Sequence, residues 1–157
     1  MRHSYYKPNS KVTGCGTTFY LSNERDCVFL NMIQQSGWND QTKKGSFKEN
    51  MGNPEKSISV KINADELGGI LVALKTFGKW EAFHTFADNK TQLKFAVWDR
   101  SEMKKPNAMS FVVTKNGSLS FKTFFEPGEV EILKILFTEC AKEIMWSKSQ
   151  KQDKEVE

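Results

Sequence analysis

The sequence predicts an α+β fold built from a duplicated unit of four antiparallel strands and one helix, with the helices packed on one face of the sheets. Two stretches carry this prediction, SISVKINADELGGILVAL at 57–74 and SLSFKTFFEPGEVEILKIL at 118–136. Each begins with alternating apolar and polar residues and then changes to the spacing of about 3.6 residues that is typical of a helix. Because the change falls at the same place in both stretches, we interpret the chain as an internal duplication.

The composition indicates one ordinary globular domain. The chain has 157 residues, enough for a real core, and no apolar run approaches the length of a membrane span. The N-terminus lacks the apolar segment of a secretory signal. Three widely spaced cysteines, Cys15, Cys27 and Cys140, predict reduced, buried thiols in the cytoplasm. The net charge of +4 favours a polyanionic partner without selecting one.

The chain is expected to begin with a flexible basic arm at 1–16, which is followed by one domain at 17–146. Its first repeat, 17–78, has strands predicted at 17–22, 27–35, within 46–50 and at 57–62. Asn63 and Glu66 have the spacing of a capping box, and Gly78 is expected to end the helix in the left-handed conformation. Gly68 and Gly69 cost a helix about 1 kcal/mol each, so we expect close packing at these positions.

The second repeat, 80–146, follows the same plan. Strands are predicted at 82–87, 91–98, 108–115 and 118–125, with Asn116-Gly117 as a hairpin turn. Glu126 is expected at the N-cap of a helix that runs to about Trp146, and 147–157 is expected to be a polar tail. Three landmarks align the repeats at nearly constant offsets: Val28 and Leu30 with Leu93 and Phe95, Ser46-Phe47 with Ser110-Phe111, and Asn63 with Glu126.

The second predicted helix is apolar on two faces. One face can pack on its own sheet, whereas the other, formed by Ile132, Ile135 and Leu136, predicts a helix from another subunit and therefore a homo-oligomer, a dimer or a tetramer. A monomer that covers both faces itself is the alternative.

The sheet face opposite the helices is expected to carry hydroxyls, lysines and occasional aromatic rings. Lysines and hydroxyls bind phosphates, and rings stack on bases of any identity. This pattern predicts a surface for single-stranded nucleic acid; a solvated outer face of an amphipathic sheet is the alternative. The candidate binding residues are Phe29, Trp38, Lys43, Lys44, Lys48, Ser59, Lys61, Lys94, Trp98, Ser120 and Lys122.

The sequence does not favour an enzyme. Neither histidine, His3 or His84, lies near a nucleophile signature, and no phosphate-binding glycine loop is present. No metal-ligand spacing occurs, so no cofactor or metal is expected. A transcription-cofactor or protein-interaction module remains a second reading.

The order of two units, each with four strands leading directly into a helix, resembles the Whirly fold over about residues 17–146. One unit resembles the C-terminal domain of transcriptional positive cofactor four. The KGKAAL-type motif of plant Whirly proteins is absent, and KKGSFKEN at 43–50 is only distantly similar to it. A viral or bacterial version therefore fits better than a plant organellar one, and a viral version would be located in the host cytoplasm. The resemblance implies largely sequence-independent binding of single-stranded DNA, or alternatively RNA, tetramers held by the helices, and a role in replication, recombination or transcription.

Overall fold

The structure, a computed structural model, describes residues 1–156 and has α+β architecture. Two helices accompany strands that pair throughout in the antiparallel sense. The expected α+β class with antiparallel sheets is confirmed. The elements are β1 Arg2–Lys7, β2 Cys15–Leu21, β3 Val28–Gln34, β4 Gly37–Asn39, β5 Lys44–Ser46, β6 Ser57–Ile62, α1 Ala64–Thr76, β7 Trp80–Phe86, β8 Asn89–Trp98, β9 Ala108–Lys115, β10 Leu119–Phe125 and α2 Pro127–Val156.

The strands form two larger sheets and one short ribbon. Sheet 1 has the order β1-β2-β3-β6, and sheet 2 has the order β10-β9-β8-β7. Strands β4 and β5 pair only with each other and form the ribbon. The last strand along the chain in each larger sheet, β6 or β10, leads directly into a helix.

The N-terminal segment belongs to sheet 1. The prediction of a flexible arm at 1–16 is wrong for Arg2–Lys7, which pairs with β2 along its whole length. Tyr5 holds this strand in place because its ring is buried and meets Phe125 edge-on, with centroids 5.2 Å apart. Lys7 forms an ion pair with Glu129 at the start of α2. A single buried residue in a polar segment gave no alternation from which the strand could be predicted.

The predicted strand within 46–50 is also wrong. Ser46 ends the ribbon, and Lys48–Asn50 is a short 3-10 helix. The landmark that matched Ser46-Phe47 with Ser110-Phe111 is therefore wrong. The landmark that matched Val28 and Leu30 with Leu93 and Phe95 is wrong as well, because β3 pairs with the strand that leads into α1, whereas β8 does not pair with the strand that leads into α2. Leu30 holds the place in sheet 1 that Phe111 holds in sheet 2, because Leu30 pairs with Phe19 and Val60, while Phe111 pairs with Phe95 and Thr123.

Helix α1 begins as the sequence predicts and ends differently. The Asn63 side chain accepts from the Glu66 amide, and Glu66 accepts from the Asn63 amide, so the capping box is confirmed. Phe77, rather than Gly78, takes the left-handed conformation, with φ of 50°. A Cβ added to Gly69 would lie 2.6 Å from Trp80 Nε1, whereas one at Gly68 would meet nothing within 4 Å. Close packing therefore explains Gly69 and not Gly68.

Helix α2 is longer than predicted. It continues to Val156, so residues 147–156, expected as a polar tail, are helical. Glu129 Oε1 accepts from the Glu126 amide at 2.9 Å, which satisfies one of the free donors at the helix start. Among residues 1–156, neither helix combines the length and apolar character needed to cross a membrane.

The core lies between the inner faces of the sheets and the two helices, which pack on each other. Aromatic rings fill its centre: Phe95 stacks on Phe111 at 4.1 Å, and Phe19 meets Phe137 edge-on at 4.9 Å. The three cysteines are free and buried, as predicted. Burial raises the thiol pKa of all three, that of Cys15 to about 11, so these groups remain protonated and unreactive near neutral pH.

Candidate nucleic-acid interface

A row of two cations and two rings crosses the outer face of sheet 1. The strand register places Arg2 opposite Tyr20, Tyr20 opposite Phe29, and Phe29 opposite Lys61. Tyr20 and Phe29 stack with centroids 5.3 Å apart and an interplanar angle of 28°. The Arg2 guanidinium lies 5.5 Å from the Tyr20 centroid, and Lys61 Nζ lies 5.6 Å from the Phe29 centroid. We call these four residues the cation–ring row.

Strand alternation explains why these side chains face outward. In β3, Val28, Leu30 and Met32 are buried, so Phe29 and Asn31 project from the other face. In β6, burial of Val60 and Ile62 turns Ser59 and Lys61 outward in the same way. The sequence predicted this orientation for Phe29, Ser59 and Lys61, and the structure places the three on one face.

The cations of the cation–ring row are not neutralised by a salt bridge. Neither Arg2 nor Lys61 forms an ion pair with any residue in 1–156. The pKa of the Asp26 carboxyl is lowered mainly by the Ser22 hydroxyl, which donates to Asp26 Oδ1 at 2.6 Å. Lys61 is the last of the causes that lower this pKa. Both ends of the row therefore carry positive charge that is available to an anion.

Polar and aromatic side chains extend this face toward the ribbon. Ser4 and Thr18 share a hydrogen bond of 2.8 Å beside Asn31 and Ser59 in the next row. One row further, the Tyr6 ring lies over Gly16, where an added Cβ would come within 2.7 Å of it. Tyr6 is exposed and meets Phe47 edge-on at 5.1 Å, so the aromatic surface continues to the end of β5.

The ribbon and the 3-10 helix that follows it present three of the predicted lysines at the surface. Lys43, Lys44 and Lys48 are exposed and form no salt bridge with a described residue. Trp38 is half-buried and donates its indole N–H to Asp40 at 3.0 Å. The three lysines therefore form a basic edge next to sheet 1. This edge lies beside Phe47, which contacts Tyr6 of β1.

Buried Gln35 fixes the base of the ribbon. Its Oε1 accepts from the amides of Asn9 and Gly14 at 2.9 and 3.1 Å. Its Nε2 donates to the carbonyls of Asn9 and Gly37 at 3.0 and 2.8 Å. One side chain thus ties the β1–β2 loop to the first residue of β4.

Sheet 2 carries a similar ring pair whose cations are already committed. Trp98 and Phe124 meet edge-on at 5.2 Å, with Arg100 5.3 Å from Trp98 and Lys7 Nζ 4.2 Å from Phe124. Lys7 pairs with Glu129, and Arg100 donates to both Glu126 oxygens at 2.7 and 2.6 Å. The two cations that lie over these rings are therefore less available to a ligand than Arg2 and Lys61 are.

The Arg100–Glu126 pair is structural in character. Arg100 is only 4% exposed and also donates from Nε to the Pro106 carbonyl at 2.7 Å. The hydrogen bonds between the two side chains lower the pKa of Glu126 and raise the pKa of Arg100. The pair joins the loop after β8 to the residue at which α2 begins.

The remaining predicted lysines of sheet 2 differ in their surroundings. Lys94 lies 3.8 Å from Glu81 on the neighbouring strand, so part of its charge is offset. Lys122 is exposed and unpaired among the described residues. Ser120 shares a hydrogen bond of 3.2 Å with Thr114 on the same face. Trp98 is 38% exposed.

The predicted residues therefore fall into three groups rather than one. Phe29, Ser59 and Lys61 lie on sheet 1. Trp38, Lys43 and Lys44 lie on the ribbon, with Lys48 in the 3-10 helix that follows it. Lys94, Trp98, Ser120 and Lys122 lie on sheet 2. The prediction of an arm at 1–16 left Arg2 out of the candidate residues. Tyr20 was also left out, although it follows Phe19 in a strand, and strand alternation turns Tyr20 outward when Phe19 is buried.

The proposed oligomer face of α2 is partly apolar and exposed. Ile132 and Ile135 are 47% and 62% exposed, whereas Leu136 is half-buried and packs against the core. The helix thus leaves two of its three predicted interface residues open to solvent.

The acidic, histidine and cysteine side chains were also compared with the geometry of a metal site. Among residues 1–156, no three of them lie close enough together to hold a metal ion. His84 Nε2 lies 2.6 Å from Glu66 Oε2, a contact that connects β7 to the first turn of α1. This position gives His84 a role in holding the fold.

No protein-family model matches the sequence, and a search of curated proteins found no match.

Proposed function

We propose that this protein binds single-stranded DNA, largely without sequence preference, on the outer faces of its two sheets and on the adjoining ribbon. The cation–ring row carries the proposal. Its two rings supply apolar surface against which bases can pack, and its cations, which form no salt bridge with a described residue, stand at both ends, where the phosphates of a bound strand need them.

A single strand fits this surface better than a duplex does. Rings of the cation–ring row can contact only bases whose faces are unstacked, and paired bases in a duplex are stacked on both sides. Reading a duplex through its major groove requires a helix or a projecting ribbon that enters it. The broad face of a four-stranded sheet has neither form.

The chain order supports a Whirly-like arrangement as part of the proposal. Both four-stranded sheets end in a strand that continues into a helix. When the two sheets are aligned by the order of their strands, Phe19, Leu30 and Ile62 of sheet 1 match Phe95, Phe111 and Phe125 of sheet 2, which supports this equivalence. The spacing of these pairs along the sequence is unequal, so the equivalence rests on strand pairing and burial.

Titration of a labelled single-stranded oligonucleotide at two or more salt concentrations tests the function. The variant R2A/K61A removes the cations of the cation–ring row, and K142A/K148A removes the same charge from exposed positions on α2. Because each phosphate contact on a single strand contributes about 0.7 to the slope of log K against log salt, R2A/K61A should lower the slope by about 1.4. K142A/K148A should leave it unchanged.

Two further arms separate the alternatives. Replacing Tyr20 and Phe29 by leucine should weaken binding at high salt, where stacking persists and the charge contribution is screened. RNA and duplex competitors then rank the ligands, and efficient competition by duplex DNA would contradict the proposed mode. Absence of binding to any single strand at low salt, with the fold intact by circular dichroism, would overturn the function itself.

A further inference from the structure

A cleft opens where the β1–β2 loop faces the outer side of β10. Its volume is about 280 Å³, and its walls include Lys7, Asn9, Gly14, Trp98, Lys122 and Phe124. A second cleft of about 260 Å³ adjoins it and shares the residues Thr13, Gly14, Cys15 and Lys122. Because they share these residues, the two clefts lie side by side between the β1–β2 loop and β10.

The walls of the 280 Å³ cleft suit an aromatic group that carries a negative charge. Trp98 and Phe124 meet at an interplanar angle of 78°, so they form a corner of two ring planes against which a planar group can pack. Lys122 supplies an unpaired cation beside this corner, and no carboxylate lines either cleft among the described residues.

A larger cleft nearby has the opposite character. It has a volume of about 570 Å³ and lies between β1 and the start of α2, but Glu126 and Glu129 are among its walls. A phosphate would be repelled there, and the nearby Lys7 is already paired with Glu129. The distribution of carboxylates therefore selects the smaller cleft for an anionic ligand.

The loop wall of the smaller cleft is held in place before any ligand binds. The Asn9 carboxamide oxygen accepts from the amides of Lys11 and Thr13 at 3.0 and 3.1 Å. Gln35 binds the amides of Asn9 and Gly14 from behind. Binding therefore needs little ordering of the loop, which reduces its entropic cost.

We propose that this cleft holds one nucleotide of the bound strand, with its base turned off the sheet against Trp98 and its phosphate on Lys122. The inference rests on the proposed function and adds to it a discrete subsite for a nucleoside monophosphate unit. It also assigns the β1–β2 loop a role in binding.

Thymidine 5′-monophosphate is the probe that tests the subsite separately from strand binding. In a titration followed by ¹H–¹⁵N NMR, the Trp98 indole and Gly14 amide signals should shift in a saturable manner. The Trp146 indole on α2 should not move. Thymidine without phosphate should bind more weakly, because it cannot engage Lys122.

Matched variants assign the contacts. K122A should weaken thymidine 5′-monophosphate binding about tenfold, the effect of losing one charge-assisted contact, and W98L should weaken it by a similar factor. K11A removes an exposed cation from the same loop outside the cleft walls and should bind as the unmodified protein does.

The outcomes distinguish the two proposals. If oligonucleotides bind with the expected salt dependence but the mononucleotide causes no saturable shift at Trp98 and Gly14, the subsite is wrong and the proposed function stands. If K11A and K122A weaken the mononucleotide equally, the contact is general attraction to positive charge, which also overturns the subsite. Failure of all oligonucleotide binding would instead overturn the function.

Discussion

The two adjacent glycines in α1 differ in what surrounds them. Gly69 lies against the indole of Trp80, which itself packs near Phe95, with ring centroids 6.3 Å apart. Gly68 faces open space. The sequence shows only that both residues disfavour the helix, because the spacing of α1 against β7 is a property of the folded chain.

Replacing each glycine by alanine should change stability in opposite directions. G68A should raise the free energy of unfolding by about 1 kcal/mol, since alanine is the better helix former and its methyl group meets no atom. G69A should lower it, because displacing a packed indole costs about 1–3 kcal/mol and exceeds the same helix gain. Urea denaturation of both variants measures the difference, and equal effects would show that Trp80 does not restrict this position.

The Arg100–Glu126 pair gives the fold a dependence on acidic pH. The pKa of Glu126 is lowered in the folded protein, so this carboxyl binds a proton less readily in the folded state than in the unfolded state. The stabilisation is therefore present above the unfolded value of about 4.3 and is lost as pH falls through the lower folded value. E126Q should flatten this part of the curve of unfolding free energy against pH. An unchanged slope below about pH 4.3 would contradict the assignment, and E139Q, at a more exposed site on α2, is the control.

At the scale of elements, prediction from sequence succeeds where the signal is local. Strands β8 to β10 and the start of α1 follow from alternation, from Asn116-Gly117 and from the Asn63 capping box. Strand β1 could not be predicted in this way, because its stability comes from Tyr5 against Phe125 and from Lys7 against Glu129, residues far along the chain. Because β1 was not recognised, the fourth strand of the first repeat was predicted within 46–50, where the structure has a 3-10 helix.

The candidate site divides along the same line. Period-two alternation placed Phe29, Ser59, Lys61 and Lys122 on outward faces. It could not reveal that Lys94 is partly offset by Glu81, because that depends on strand register. It also could not join Arg2 to Tyr20 before β1 was recognised as a strand.

The ribbon depends on Gln35, whose partners are all in loops or at a strand end. Q35L keeps a similar volume but leaves the amides of Asn9 and Gly14 and two carbonyls without their partner. We expect a loss of about 2 kcal/mol or more in the free energy of unfolding, and faster hydrogen exchange at Gly14. Q41L, at an exposed position of the ribbon turn, is the control and should do neither. Slow exchange at Gly14 in Q35L would show that the loop is held by other contacts.

For the molecule as a whole, the two sides have different chemistry. The outer faces of the sheets carry cations and rings, whereas the exposed side of the helices carries apolar groups without a cover in the single chain. Besides Ile132 and Ile135, Val72 of α1 and Trp146 of α2 are exposed, each by 64%. Several large apolar side chains exposed on one helix are unusual for a monomer and favour association through that helix.

We therefore expect the protein to sediment as a dimer or tetramer at micromolar concentration, with α2 at the interface. I132E/I135E should raise the dissociation constant about 100-fold or more, because burying two carboxylates opposes association, while the far-UV circular dichroism stays unchanged at these exposed positions. M103E alters an exposed apolar residue in the loop after β8 and should leave the oligomer intact. If the unmodified protein is monomeric, the apolar side of α2 has another role and each chain must bind a strand with its own two sheets. If it is oligomeric, the helices leave the sheet faces free, and the cation–ring rows of neighbouring subunits can act on one strand together.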